Sequence, residues 1–481
     1  MSICNQDLKS RKSHTWIVVS LALAAFVAKL NTYIVNIALP TISHYFKVGT
    51  SEVSQTVIIY LVAGTSTLLF FGKLGDRVGL KKVFVAGYAL FTIGSFLCGI
   101  SWSCHVLVLS RFVQGLGGAM LLASSYAIIP KSLPSEITGF AFGLLTTAAM
   151  LGIAVGAPLG GFITGFLSWH WIFLISVPVG FVAILISHRS LPSEPPSSGL
   201  SKERVERFDI VGALLSLLGL ATGMYGLTMG DQWGWISTPE LAMVGVSLAS
   251  LTGFVVWETI CPFPLLNFQL LRNPPFLYAN MAAFFGYILM AGNGFLMPFY
   301  LEWVKGIDTV TVGLFLMIYS LAAMVVGPVA GGSSDRILPS FVTAGAMFSA
   351  ACCAFFFSAE VASPNLVPVT ICLIWLGFSY GAFVSPNNNQ AMKAAPVDKQ
   401  GVASGLFNTV NSLGLAVGVA LFQMLFSEAV PQKSLPTELM AVDIQDLIPG
   451  FRAAYIFGGI GCLVAVAFSV MIPLSSKRSA S

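Results

Sequence analysis

Gly72-Lys73-Leu74-Gly75-Asp76-Arg77-Val78-Gly79-Leu80-Lys81-Lys82 sets five charged residues within eleven positions, in a chain of 481 residues that is only 9% charged and has a mean hydropathy of +0.85. Apolar runs flank it on both sides, so it reads as a short aqueous turn between two membrane helices. Its glycines permit tight backbone angles, Asp76 can cap the start of the following helix, and its basic residues hold the turn in the cytosol.

Outward from this turn, apolar runs of about 20 residues recur from end to end, each long enough to cross about 30 Å of hydrocarbon. Fourteen are counted, near 15–39, 53–72, 82–100, 104–129, 138–163, 169–187, 209–229, 239–257, 276–301, 310–331, 340–358, 366–386, 402–426 and 453–473. A hydrophobic content of 56% exceeds what a soluble core would hide. Short alternating strands of a membrane barrel would not read this way. The chain is therefore read as all-α and integral to the membrane. Its first run is too long for a cleavable signal and many others follow, so no leader is expected to be removed.

An even number of crossings puts both termini on one side. That side collects Lys9, Arg11, Lys12, the basic residues of the Lys73 to Lys82 turn, Lys131, Arg189, Lys202, Arg204, Arg207, Arg272, Arg336, Lys393, Lys399, Lys477 and Arg478, eighteen in all. Only four, Lys47, Lys305, Lys433 and Arg452, fall on the other. The bias predicts cytoplasmic termini and a multi-pass protein of the plasma, or inner, membrane. A net charge of +4 requires no nucleic-acid partner. The eight cysteines show no metal-ligand spacing and no paired framework, so no metal is expected. They read as small apolar packing residues. For Cys98 and Cys104, which flank the outer end of a tight turn, pairing is the minor alternative to packing.

The chain also repeats itself. Pro40 precedes Gly72 by 32 residues and Pro298 precedes Gly331 by 33. Gly331-Gly332-Ser333-Ser334-Asp335-Arg336 then replays Gly72-Lys73-Leu74-Gly75-Asp76-Arg77, in a degenerate copy without the two lysines. Repeats of this kind build secondary transporters. Residues 1–187 and 275–481 read as two six-helix bundles. Between them, 188–274 supplies a Pro-, Ser- and charge-rich cytoplasmic linker and two extra spans.

The turn resembles the loop joining helices two and three of the major facilitator superfamily. Twelve plus two spans, with Trp233-Gly234-Trp235 at an outer turn, resemble that superfamily's fourteen-helix drug:proton antiporter branch. Leu30-Asn31-Thr32-Tyr33-Ile34-Val35-Asn36-Ile37-Ala38-Leu39-Pro40 is similar to the branch's first-helix signature, with Asn31 where an Asp is usual. Arg111-Phe112-Val113-Gln114-Gly115 resembles a fourth-helix motif whose arginine is implicated in proton coupling. Gly152, Gly156, Pro158, Gly160 and Gly161 match the fifth-helix antiporter motif, and Trp169-His170-Trp171 the start of helix six.

The resemblance implies that Gly72, Asp76, Arg77, Gly79, Lys81 and Lys82, with Asp335 and Arg336 in the second copy, form a latch between the halves. Topology and capping alone are the plainer reading. For Gly152 to Gly161 it implies a contact between halves that seals the cavity, while the spacing by itself fits close helix packing and a bend at Pro158.

Charge inside the membrane marks function, because an ionised side chain there is costly unless it faces protein or water. Lys29 and Arg111 lie at similar depths, roughly 21 and 27 Å from the cytoplasmic helix ends. Lys29, Thr32, Tyr33, Asn36 and Pro40 share one face of the first helix, a stripe suited to a central cavity. Lysine snorkelling is the alternative. Asn31 points nearly opposite, into its own bundle. Ser404, Asn408, Asn411 and Ser412 make a second polar stripe in the thirteenth run, and Phe284, Phe285, Tyr287, Asn293 and Phe295 an aromatic surface in the ninth. Asn387 to Gln390 suit a gate or a cap. With Asn31 unable to take a proton, Glu302 is the nearest candidate acid, although its place beside Trp303 near the outer interface needs no function.

No phosphate-binding loop or nucleophile motif is present, so neither an ATP-driven pump nor a membrane enzyme is expected. No cofactor is expected; a proton or other ion gradient would supply the work. The expected partners are a small organic substrate and the lipid bilayer, acting on a monomer. The reading is multidrug-type efflux of amphipathic organic compounds by proton antiport with alternating access. Two cations without a buried acid also fit an organic-anion transporter that uses Lys29 and Arg111 as charge partners. A membrane sensor that carries nothing is the third reading.

Overall fold

A computed structural model describes residues 2–478 apart from 49, 193–208, 235, 267–269, 335–337 and 430–443. Among these, all regular structure is helical. Thirteen helices are long and apolar enough to cross a membrane, and a bent pair makes a fourteenth span. In chain order they are His14–Leu39, the pair Glu52–Ser66 and Leu68–Val78, Leu80–Gly99, Cys104–Ser132, Thr138–Phe166, Trp171–Ser190, Ile210–Gly230, Thr238–Ile260, Pro274–Val304, Thr311–Ser334, Pro339–Glu360, Val367–Ala394, Val397–Phe426 and Gln445–Ile472. These are called the first to fourteenth spans. Lys202 to Arg207, Trp235, Lys433, Asp335 and Arg336 lie outside the described residues.

The opening turn is narrower than its composition suggests. The helix runs on to Val78, with Gly72 and Gly75 buried within it, and the chain reverses at Gly79 alone. Gly79 has φ 108°, a conformation that favours glycine. The second span bends by 46° between Ser66 and Leu68 without a proline. Its cause is local: Ser66 Oγ and Thr67 Oγ1 donate back to the carbonyls of Val62 and Ala63, at 2.8 and 2.7 Å, and such back-bonding bends helices.

Within the first bundle the fifth span packs on the first and the third on the fourth; within the second, the thirteenth packs on the ninth and the eleventh on the fourteenth. Glycines bring the backbones together at matching places. A Cβ on Gly152 would stand 2.6 Å from Phe26 O, and one on Gly160 2.8 Å from Ile34 O. In the other bundle, Gly414 meets Phe284 O at 2.7 Å and Gly418 meets Ile288 O at 2.6 Å in the same way. The extra hairpin, spans seven and eight, lies beside the second and thirteenth spans.

Away from the basic turn, Trp169 and His170 stack at 3.8 Å with Tyr45 edge-on to both. Partial burial there holds His170 below the usual imidazole range. Cys98 and Cys104 are both free thiols, so the pairing considered from sequence is not made. Each is buried in helix packing.

Candidate functional site

At the end of the molecule that carries the basic turn, two seams join the bundles. One is the crossing of the second span with the thirteenth, where Gly72 lies directly against the Gly401 backbone and Gly405 against Leu68 O. Asp76 does not cap the helix after its turn, as its position in sequence suggested. It caps the thirteenth span instead: Gly401 N and Val402 N donate to its two carboxylate oxygens at 2.7 and 2.8 Å. Lys131 Nζ stands 3.8 Å away. A carboxylate at a helix N-terminus gains from both hydrogen bonds and the helix dipole. Arg77 and Lys82 are exposed, and Lys81 Nζ donates to Leu191 O at 2.7 Å.

The other seam is its counterpart from the repeat. Gly331 lies against Gly139 O, and Gly143 against Gly327 and Pro328. Thr138 Oγ1 donates to Asn389 Oδ1 at 2.8 Å, Ser385 Oγ to Gly139 O at 3.1 Å, and Thr147 Oγ1 to Met324 O at 3.0 Å. Asn389 thus ties the bundles together, whereas Asn387 bonds Ala279 O and Gln390 accepts from Ser340 within their own bundle. The fifth span meets the other half through Gly139 and Gly143. Gly152, Gly156 and Gly160 face the first span of their own bundle, and Gly161 and Pro158 are exposed. The contact between halves inferred for the antiporter motif is therefore not made by its glycines in this structure, since that flank of the helix is filled by Phe26 to Ile34.

Asp76→Asn leaves one of the two backbone donors without its acceptor. The closed arrangement of this seam is expected to lose about tenfold in population, the worth of one charge-assisted bond. Spin-spin distances between labels at Lys82→Cys and Asp398→Cys, both exposed sites, would lengthen; an unchanged distance distribution would refute the role of Asp76 as a latch.

Inside the first bundle Arg111 is fully buried. Its Nε donates to Thr56 O at 2.9 Å, its Nη1 to Gln114 Oε1 at 2.5 Å, and its guanidinium lies 4.1 Å from the Tyr60 ring centre. Gln114 Nε2 donates in turn to Asn31 Oδ1 at 3.1 Å and Ser95 Oγ at 2.7 Å, and Asn31 Nδ2 to Ser176 Oγ at 2.8 Å. Asn31, Gln114 and Arg111 therefore form one network with no carboxylate in it. Arg111 is sealed from the space between the bundles, which removes it as a direct partner for a substrate.

Lys29 is half-buried, with its Cβ over Gly152, and has no hydrogen bond or ion pair among the described residues. Beyond it Tyr33 and Asn36 are exposed, while Thr32 Oγ1 bonds back to Ala28 O at 3.0 Å. Sequence reading missed what these residues meet. Across the interface, Tyr33 lies within electrostatic reach of Tyr319, and Tyr126 of Tyr287 and Tyr380. The Tyr287 and Tyr380 rings are 5.8 Å apart, and those of Tyr319 and Tyr380 6.1 Å. Tyr126 contacts Phe407 across the interface at 6.2 Å. Tyr319 Oη, Asn388 Nδ2, Ser404 Oγ and Asn411 Oδ1 are buried with no hydrogen-bond partner. Orphaned polar groups of this kind mark places where a ligand or water belongs. The cavity beside Tyr319 and Asn293 measures about 20 Å³, room for about one water.

Other candidates fall away from this cluster. Glu302 is exposed, in a π-turn at the far end of the ninth span. Phe285 stacks on Phe468 of the fourteenth span, and Asn293 accepts from Tyr455 Oη at 2.8 Å, so of the ninth-span aromatic surface it is Tyr287 that faces the other bundle. Asn408 Nδ2 bonds Ser404 O of its own helix at 3.0 Å.

Two bundles of membrane helices, joined by paired seams at one end and lined at mid-depth by polar and aromatic side chains, define a transporter. Residues 21–419 match the Major Facilitator Superfamily, and the chain belongs to that family. It is 30% identical over 417 residues to the riboflavin transporter RibZ of Clostridioides difficile, covering 86% of this chain and 89% of the relative. It is 25% identical over 442 residues to the probable multidrug resistance protein EmrY of Escherichia coli, covering 91% and 84%. The human organic anion transporter MFSD10 superposes with a TM-score of 0.65 over 95% of this chain and 99% of that one; at 13% identity the likeness concerns the fold.

Proposed function

We propose that the chain exports small, flat, amphipathic organic compounds across the inner membrane by alternating access, in exchange for protons. The observation that carries this reading is the convergence of five tyrosines from the two bundles, with orphaned groups on Tyr319 and Asn388 among them and on Ser404 and Asn411 of the thirteenth span. Such a wall offers ring faces and hydrogen bonds but no fixed negative charge, which suits aromatic solutes that are neutral or anionic. The names of the relatives, one a riboflavin transporter and one a probable multidrug resistance protein, support an aromatic substrate class. On this reading the basic end is cytoplasmic, and the seams close it.

Unpaired Lys29 supports a second reading, transport of organic anions with this ammonium as the single charge partner. Proteoliposomes under an imposed pH gradient separate the two. Riboflavin, an organic anion and a cationic dye are each offered to wild type and Lys29→Ala. Aromatic compounds are expected to move with the gradient, and Lys29→Ala to cut anion movement by at least about tenfold while sparing the neutral compound. Movement of the cation alone, surviving Lys29→Ala, would sink both readings of the cavity.

A further inference from the structure

The segment 261–266, which follows the eighth span, lies across the seam that Asp76 closes. Leu265 and Leu266 are buried and pack with Leu69 of the second span and Val402 of the thirteenth. Lys73 Nζ donates to Pro264 O at 3.2 Å. Glu258 holds the segment down: its Oε1 accepts from Leu265 N and its Oε2 from Leu266 N, both at 3.1 Å.

Facing Glu258 is Asp209, the N-cap of the seventh span, 7% exposed. Its Oδ1 accepts from Gly212 N and from Trp257 Nε1, both at 2.8 Å. Its Oδ2 is buried and meets no donor. That oxygen and Glu258 Oε1 converge over Gly212, where any side-chain carbon would collide with both. Among the described residues, the nearby lysines lie on other partners: Lys73 Nζ donates to Pro264 O and Lys131 faces Asp76. Cys261 is the remaining titratable group of the segment, and Gly401 and Val402 of the thirteenth span bring no charge. Two ionised carboxylates so placed would repel strongly.

We propose that Asp209 and Glu258 hold one proton between them, and that this proton keeps segment 261–266 on the seam. Held between Asp209 Oδ2 and Glu258, it gives the orphaned oxygen its missing hydrogen bond. Loss of the proton leaves two facing anions. Glu258 then swings away, and Leu265 and Leu266 leave Leu69 and Val402. Proton uptake from the basic side therefore favours the closed seam, and alkaline pH loosens it.

Hydrogen exchange of the full chain in lipid nanodiscs, corrected for the intrinsic pH dependence of amide exchange, tests this at Leu265 and Leu266. Wild-type protection is expected to fall by about tenfold from mildly acid to mildly alkaline pH. Asp209→Asn, whose carboxamide donates permanently where the proton did, keeps its protection throughout, and Glu258→Gln is poorly protected at every pH. Wild-type protection that does not respond to pH overturns the proposal without recourse to any variant. So does an Asp209→Asn protein that still loses protection at alkaline pH. Neither readout depends on which solute is carried.

Discussion

Gly72→Val is expected to abolish transport while leaving both bundles folded. The position is defined by backbone: an added Cβ would overlap the carbonyl oxygen of Gly401 and come within 3.0 Å of its carbonyl carbon and 3.2 Å of Gly405 Cα. None of these atoms can rotate out of the way as a side chain would, so the second and thirteenth spans must separate. Separation also pulls Asp76 from Gly401 N and Val402 N, and two charge-assisted bonds at about 1.5–3 kcal/mol each amount to a hundredfold or more in the closed population. Turnover in proteoliposomes should fall by at least that factor, and labels at the basic end should move apart. Gly345→Val is the control, since nothing lies within 4 Å of the Cβ it would add in the eleventh span. Normal turnover by Gly72→Val would mean that the seam need not close this tightly.

The second large effect is expected at Arg111. Arg111→Ala removes the donors to Thr56 O and Gln114 Oε1 in a fully buried site, and leaves the buried Gln114 Oε1 unsatisfied at about 1–3 kcal/mol. It also loses the contact with Tyr60. Arg111→Lys should fail nearly as badly, because one ammonium cannot span Thr56, Gln114 and the ring face as a planar fork does. Both variants should lower the thermal midpoint by several degrees and drop transport about a hundredfold. If Arg111→Lys transported normally, positive charge alone would suffice and the Gln114 relay to Asn31 would be incidental.

The sequence showed much of this architecture because membrane helices announce themselves by length, and because an isolated charged turn stands out against lipid-soluble flanks. The repeat of Gly72 at Gly331 was legible too, and each proves to be half of a backbone crossing. What could not be read was the partner of each face. A helical wheel correctly set Asn31 opposite Lys29, yet it could not say that Gln114, 83 positions away, would bridge Asn31 to Arg111. The spacing of Gly152 to Gly161 indicated close packing but not the helix that fills it. Asp76 was legible as a cap, and its helix lies 325 positions later. The five tyrosines come from five spans, so no local pattern joins them. The approach of Asp209 to Glu258 across the extra hairpin is likewise a tertiary fact that no local pattern carries.

The seams and the wall between them are made of different material. Closure rests on glycine backbones and on Asp76 bonding main-chain amides, whereas the mid-depth surface is built of tyrosine rings, one ammonium and carboxamides. If that surface binds the cargo, as proposed above, exchanging a tyrosine or an asparagine alters what can be carried without touching any atom of the seams. Selectivity in this scaffold can therefore drift by single substitutions while the moving parts stay intact, a division of labour that would let one gate serve many cargoes over evolutionary time.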